Sequence, residues 1–322
     1  MVVRAREARS RAPRGADGLP SRPVSSSELR TRDGHTLHVH TLGRGPTVVL
    51  LHGFAMHGAQ WLPLVAPLAG SFRFVLPDLR GFGRSHHVPF TKRDAVAQLA
   101  DDVEDLLAHL GDDRVHVGGL SMGALTGLAL AQRGALANAR SYTHIDQAPR
   151  IHNGDGWRWG LFGDDQPARF DELRVLLDEA TALRAVPFDA LPAPFAKRVR
   201  GAFGRFFQTA VRPAWMKRGA GLVQHPAIAR RVLPLAHWGV YMDVLRAYLD
   251  ERHDFRDALA KVRAPATVMV GEASEMYPAE GQLALARTAP HARTVRFPRV
   301  GHAVPWEAPV GFVRALRGAL RG

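Results

Sequence analysis

The sequence predicts an α/β protein built on a mostly parallel sheet. Short apolar runs typical of strands alternate with helical periodicities along most of the 322 residues. One of these runs, 46–53, is apolar throughout, as in a strand that is buried on both faces. Between about residues 150 and 240 only helical periodicity remains, which predicts a helical insertion that covers one end of the sheet.

The composition narrows the class of protein. Hydrophobic residues make up 46% of the chain and charged residues 23%, which is ordinary for a globular protein and excludes disorder over most of its length. No apolar stretch approaches the roughly 20 residues that cross a bilayer, so we expect no membrane span. The absence of cysteine excludes disulfides and thiolate chemistry and favours a reducing compartment, so we expect a cytoplasmic location.

The formal net charge is +13, which raises the question of a nucleic-acid partner. Only four of the 43 basic residues are lysines, however, and this arginine bias is typical of a GC-rich coding sequence. Seven arginines lie in residues 1–30 among Pro, Ser, Gly and Ala, which predicts a disordered extension. Without a recognised binding motif, we expect no nucleic-acid partner.

Seven strands are predicted in chain order, over 35–42, 46–53, 73–78, 114–121, 140–146, 266–271 and 293–298. The clearest helix between them places Val96, Leu99, Val103, Leu106, Leu107 and Leu110 on one face. Gly111 is suited to end it. The predicted organisation is a core of residues 31–149 and 241–322, with a helical cap of residues 150–240.

Residues 119–123 read Gly-Leu-Ser-Met-Gly between a predicted strand and a predicted helix. This is the G-x-S-x-G pattern in its strand–turn–helix context, where a sharp turn exposes the serine hydroxyl. Ser121 is therefore the candidate nucleophile.

His52, Gly53 and Phe54 follow another strand, at a place suited to a second oxyanion donor. We expect the amides of Phe54 and Met122 to stabilise a developing negative charge, since removing one such donor typically lowers the rate about 10²–10³-fold. His52 is expected to hold its loop.

His302 is the histidine that best fits a catalytic base. It follows the last predicted strand and a glycine, in the chain order nucleophile, acid, histidine. His38 and His40 share one face of a strand, and His86 and His87 adjoin in a loop. No carboxylate or histidine at a matched spacing accompanies either pair, so we expect no metal site.

Four segments resemble the α/β-hydrolase superfamily over residues 34–322: LLHGF, PDLRGFGRS, GLSMG and GHAVPWEAP. The resemblance implies an eight-stranded mostly parallel sheet, a helical cap after the sixth strand and no cofactor. The superfamily includes esterases, thioesterases, lactonases, C–C hydrolases, cofactor-free haloperoxidases, lyases and acyltransferases. Relatives that act on epoxides or haloalkanes use an aspartate nucleophile, whereas the serine at position 121 directs attack at an acyl carbonyl.

The triad acid departs from the pattern that the resemblance implies. Most relatives carry an aspartate shortly after the seventh strand, where this chain has Ser274. Asp146 is the favoured alternative, because it closes the sixth strand, where one branch of the superfamily places its acid. Glu275 and Glu272 remain open. We expect Asp146 to accept a hydrogen bond from Nδ1 of His302 while Nε2 faces Ser121.

The expected function is hydrolysis of an ester, a lactone or a related acyl substrate through an acyl-enzyme. A C–C hydrolase, a haloperoxidase or perhydrolase, a lyase and a non-hydrolytic binding protein remain open.

Three aromatic residues are candidates for the substrate pocket, namely Trp61, Tyr277 and Trp306. The expected partner is a small acyl molecule. Residues 195–231 hold nine basic and no acidic residues, which indicates either a solvated face or a site that attracts an anionic substrate.

Overall fold

A computed structural model describes residues 24–112, 114–232, 235 and 238–322. Eight strands form one sheet: β1 (Ser25–Arg30), β2 (Thr36–Gly43), β3 (Thr47–Leu51), β4 (Arg73–Pro77), β5 (His116–Leu120), β6 (Ser141–Ile145), β7 (Ala266–Gly271) and β8 (Ala292–Phe297). Their spatial order is β1-β2-β4-β3-β5-β6-β7-β8. β2 pairs antiparallel with both neighbours and all other pairs are parallel, so the predicted mostly parallel sheet is confirmed.

Strand β1 begins inside the segment predicted as a disordered extension. Ser25–Arg30 pairs with β2, so the core starts earlier than residue 31. The sequence pattern fails here because β1 is an edge strand in which only Leu29 is buried, and it therefore lacks an apolar run. Residues 1–23 of the predicted extension lie outside the described residues.

Helices cover both faces of the sheet. One face packs against α2 (Ala95–Leu110), α3 (Met122–Gln132) and α9 (Ala279–Arg287). The other packs against α1 (Leu62–Val65), α10 (Val304–Glu307) and α11 (Pro309–Ala319). The predicted helix is present as α2, where Asp94 accepts the amide of Ala97 at the N-terminus and Gly111 (φ 61°) follows the C-terminus.

In the described part of the segment between β6 and β7 lie the α-helices α4 (Gln166–Leu183), α5 (Ala193–Ala210), α6 (Ala214–Gly221), α7 (Pro226–Val232) and α8 (Trp238–Asp250). The predicted boundary at residue 240 falls inside α8. This helix is continuous because it packs against both α4 and the core helix α2. No helix in the described ranges is long and apolar enough to cross a membrane.

Candidate active site

Ser121 lies in the tight turn between β5 and α3, with φ 53° and ψ −120°. A Cβ on Gly119 would stand 2.3 Å from the carbonyl carbon of Gly123, and one on Gly123 would stand 2.4 Å from the carbonyl oxygen of Leu51. Both positions therefore require glycine, because backbone occupies the space of a side chain. The left-handed φ of Ser121 is the strained backbone expected of a nucleophile elbow.

The two amides predicted as oxyanion donors lie on either side of this turn. Met122 is the first residue of α3, so its amide has no acceptor within the helix. Phe54 follows β3, and in the described part of the chain no backbone carbonyl accepts its amide. A Cβ on the neighbouring Gly53 would lie 3.5 Å from Cβ of Ser121, so this loop passes close to the serine.

His302 and Asp146 are in direct contact. Nδ1 of His302 lies 2.7 Å from Oδ2 of Asp146, and both residues are buried. The amide of Ser121 donates to the carbonyl of Ile145 at 3.0 Å, and Ile145 directly precedes Asp146. The serine and the aspartate thus follow neighbouring strands, β5 and β6, at the carboxyl edge where parallel sheets gather functional groups.

The carboxylate of Asp146 is held by several donors in addition to His302. Its Oδ1 accepts from the amide of Gly271 at 2.8 Å and from Nε2 of Gln282 at 3.0 Å. Its Oδ2 accepts from Oγ of Ser274 at 2.8 Å. A fully buried carboxylate needs such donors, since an unpaired charge in the protein interior is costly.

The two alternative acids lie elsewhere. Both oxygens of Glu275 accept from Nζ of Lys217, at 2.7 and 2.8 Å, on a partly exposed surface. Glu272 pairs with Arg296. Among the described residues, neither glutamate forms a hydrogen bond or an ion pair with His302, and each is paired with a basic side chain instead.

Ser274 and Gln282 are partners of the carboxylate that the sequence does not predict. In sequence, Ser274 stands out only as the residue that replaces an expected aspartate. Gln282 lies on α9, and its amide nitrogen also contacts the carbonyl of Tyr277. A neutral amide on an amphipathic helix carries no sequence signal that points to a buried carboxylate.

His52 connects the loop after β3 with the loop after β4. Its Nδ1 donates to the carbonyl of Gly53 at 2.8 Å and its Nε2 accepts from the amide of Leu79 at 3.0 Å. This pattern requires a neutral imidazole, and burial lowers the pKa of His52 to about 4. The side chain thus holds the Gly53–Phe54 turn.

A cavity of about 510 Å³ opens between α4, α5 and α8. It is mainly apolar, and the ring of Phe54 forms part of its wall together with Phe170, Leu173, Leu176, Phe203, Phe206, Met242 and Tyr248. Ser121 and His302 are not among its lining residues, so the cavity reaches the turn after β3 rather than the serine itself. A second cavity of about 340 Å³ shares Arg169, Arg205 and Thr209 with it.

None of the three aromatic pocket candidates lines either cavity. Trp61 is fully buried against Trp306 and Phe312 in the apolar layer beneath the sheet, so packing accounts for both tryptophans. Tyr277 is buried beside His302, with its ring centroid 5.7 Å from that of the imidazole. Burial raises the pKa of the Tyr277 hydroxyl.

Two proteins of related sequence are named as an esterase and an enol-lactonase. A pimeloyl-[acyl-carrier protein] methyl ester esterase of Xanthomonas campestris is 28% identical over 267 residues, which cover 83% of this chain and 92% of the relative. The 3-oxoadipate enol-lactonase 1 of Acinetobacter baylyi is 34% identical over 138 residues, which cover 42% of this chain and 50% of the relative.

Among solved structures, a thermophilic esterase from Thermogutta terrifontis superposes with a TM-score of 0.68 at 25% identity, covering 92% of this chain and 98% of the esterase. The family model described as the alpha/beta hydrolase fold matches residues 46–309. The match spans well over half of the chain and includes the serine turn, Asp146 and His302. The chain therefore belongs to the α/β-hydrolase family.

Proposed function

We propose that the protein is a serine esterase that cleaves carboxylic esters of apolar acyl chains through an acyl-enzyme. The observation that carries this proposal is the hydrogen bond between His302 and Asp146 at the sheet edge where Ser121 occupies a strained turn. The relatives named as esterases and an enol-lactonase support the same class of reaction.

In the proposed mechanism, Nε2 of His302 takes the proton of the Ser121 hydroxyl as Oγ bonds to the ester carbonyl carbon. The carbonyl oxygen becomes an oxyanion, which the amides of Phe54 and Met122 stabilise. The bond to the alcohol then breaks, and His302 returns the proton to the departing alkoxide. Water attacks the acyl-enzyme by the same route and releases the acid.

Asp146 orients the imidazole in this mechanism. With Nδ1–H donated to the carboxylate, Nε2 is the basic nitrogen, which is the tautomer that the reaction needs. The negative charge also stabilises the imidazolium that forms in each transition state. Ser274, Gln282 and Gly271 keep the carboxylate in place through their hydrogen bonds.

A fluorophosphonate probe tests the proposed nucleophile. We expect stoichiometric labelling of the wild-type protein and none of Ser121→Ala, because only an activated serine attacks the phosphorus centre. Failure to label folded wild-type protein would instead favour the non-hydrolytic binding protein of the same fold.

The apolar cavity is proposed to hold the acyl chain. Each buried methylene contributes about 0.8 kcal/mol, so kcat/KM should rise about fourfold per added methylene until the cavity is filled. A series of p-nitrophenyl esters from acetate to dodecanoate measures this. Ala202→Leu, in the cavity wall, should move the optimum to shorter chains, and Ala214→Leu, on the exposed start of α6, should not.

We further propose that the substrate carries an anionic group, which Arg169 attracts. Arg169 borders both cavities, and no carboxylate pairs with it in the described ranges. The other basic groups of the smaller cavity are balanced, since Lys217 pairs with Glu275 and Arg205 with Glu172.

Matched esters with and without a terminal carboxylate test this preference. Arg169→Gln should lower kcat/KM for the anionic ester roughly two- to fivefold, the value of one exposed ion pair, and leave the neutral ester unchanged. Arg174→Gln, on the exposed face of the same helix, is the control. If kcat/KM depended equally on ionic strength for the anionic and the neutral ester, the proposal would be wrong.

The absence of cysteine supports a reducing compartment, and we propose the cytoplasm as the location.

A further inference from the structure

Two histidines and one aspartate meet outside the candidate active site. His38 and His40 project from one face of β2, since alternate residues of a strand point the same way. β2 pairs with β4, and the amide of Asp78, just after β4, donates to the carbonyl of His38 at 2.9 Å. This pairing brings the aspartate to the two imidazoles although it is distant in sequence, which is why the spacing of the histidines alone predicted no metal site.

Two of the three distances within this cluster match those of ligands around a shared ion. Nδ1 of His38 lies 3.4 Å from Oδ2 of Asp78, and Nε2 of His40 lies 3.5 Å from the same oxygen. Charge-assisted hydrogen bonds are shorter, at about 2.7–2.9 Å. A tetrahedral zinc ion with bonds of about 2.0–2.2 Å separates neighbouring ligand atoms by about 3.3–3.5 Å. All three ligand atoms lie within 4.8 Å of one another.

His38 gives a second sign of a missing ligand. Both of its ring nitrogens are buried, and neither makes a hydrogen bond among the described residues; a bound ion would satisfy Nδ1, which lies within ion-pair distance of Asp78. Buried polar atoms are normally satisfied, so such a ring requires an explanation.

Asp78 is already oriented by the backbone. Its Oδ1 accepts from the amide of Gly58 at 2.7 Å and its Oδ2 from the amide of Arg84 at 2.8 Å. These bonds fix the carboxylate and leave Oδ2 a second lone pair, as the outer contacts of metal ligands commonly do.

We propose that His38, His40 and Asp78 bind a divalent transition metal ion of the zinc type, with the fourth position open to water or to a further ligand. Two imidazoles and one carboxylate suit zinc better than magnesium or calcium, which prefer oxygen ligands. The site would tie β2 to the loop after β4. Leu79 in that loop donates to His52, which holds the Gly53–Phe54 turn, so a bound ion would stabilise this side of the active site without touching substrate.

Zinc titration of chelator-stripped protein without a histidine tag tests the proposal. Isothermal titration should show one saturable site, and the thermal midpoint should rise by several degrees at about 100 times Kd. His38→Gln and His40→Gln should each weaken binding more than about 100-fold, because changes to the outer contacts of a ligand alone cost 10–100-fold. His87→Gln, in an exposed loop, is the matched control.

Zinc could instead bind at His302, so His302→Gln is titrated as well and should retain the site. The visible absorption of the cobalt-substituted wild type should have the intensity of four-coordinate ligation, and this measurement stands even where a histidine variant fails to fold. Absence of saturable binding, unchanged binding in both cluster variants, or loss of binding in His302→Gln would each overturn the proposal.

Discussion

The hydroxyl of Ser274 donates a hydrogen bond of 2.8 Å to the carboxylate of Asp146, so the residue that replaces the expected triad aspartate contacts the carboxylate that contacts His302. The loop after β7 and the end of β6 converge on the same imidazole. A carboxylate at either place could therefore orient the imidazole of His302, and in this chain the aspartate directly follows β6. Ser274 completes the set of donors around the carboxylate of Asp146.

Asp146→Asn should lower kcat by about 10⁴-fold, because an amide favours the wrong imidazole tautomer. Asn tolerates the left-handed φ of 44° at this position, so the fold should be retained. Steady-state kinetics with circular dichroism checks both statements. Glu275→Gln is the control and should change kcat little; the reverse ranking would assign the acid to the loop after β7.

The double variant Asp146→Asn/Ser274→Asp should recover at least about tenfold of the activity that Asp146→Asn loses. It moves the carboxylate from β6 to the loop after β7, next to the same ring, and an oriented carboxylate stabilises the imidazolium. The measurement is kcat for one ester across the wild type, both single variants and the double variant. A double variant no faster than Asp146→Asn would show that the loop after β7 cannot present an acid to His302.

Gly123→Ala should destabilise the protein by more than about 3 kcal/mol or prevent folding, since its Cβ would lie 2.4 Å from the carbonyl oxygen of Leu51 and backbone cannot yield easily. Gly219→Ala is the control. This glycine lies in α6 with no atom within 4 Å of the added Cβ, so the change should be neutral or stabilise by about 0.4–1 kcal/mol. Urea unfolding measures both. Equal effects would contradict the close approach of α3 to β3.

The free energy of unfolding should fall as pH decreases from about 6.5 to about 4. Burial lowers the pKa of His52, His116 and His144 to about 4, so the unfolded chain binds protons at these positions that the folded protein does not. Three such protons contribute a slope of up to about 4 kcal/mol per pH unit. The loss of stability begins as the pH falls below the histidine pKa of the unfolded chain, about 6.5, and is complete once the pH lies below the pKa of these histidines in the folded protein, about 4.

Urea unfolding curves recorded between pH 7.5 and 4 give the free energy of unfolding at each pH, and hence this slope. In His144→Gln the slope should fall by up to about a third, because His144 supplies one of three such protons, whereas in a variant of the exposed His87 it should not change. A wild-type midpoint that stays constant over this range would contradict the burial of neutral imidazoles.

The parallel strands and the residues at their ends could be predicted from the sequence. Strands β3 to β7 are buried almost throughout, and the glycines at 119 and 123 mark the turn because nothing larger fits between α3, β3 and β5. Strand β1 could not be predicted, since an exposed edge strand of mostly polar residues has no apolar pattern to distinguish it. The residues that line the cavity could not be predicted either, because the sequence does not distinguish an aromatic residue in the core, such as Trp61, from one in a cavity wall.

The sequence by itself determined the fold class, the serine turn and the position of His302, because each depends on local backbone geometry or on chain order. Only the tertiary structure decided which carboxylate contacts His302, which side chains line the cavity and that Asp78 joins His38 and His40. These relationships join residues far apart in the chain, such as Asp146 and His302 or Asp78 and His38, and strand pairing rather than sequence spacing sets their distances.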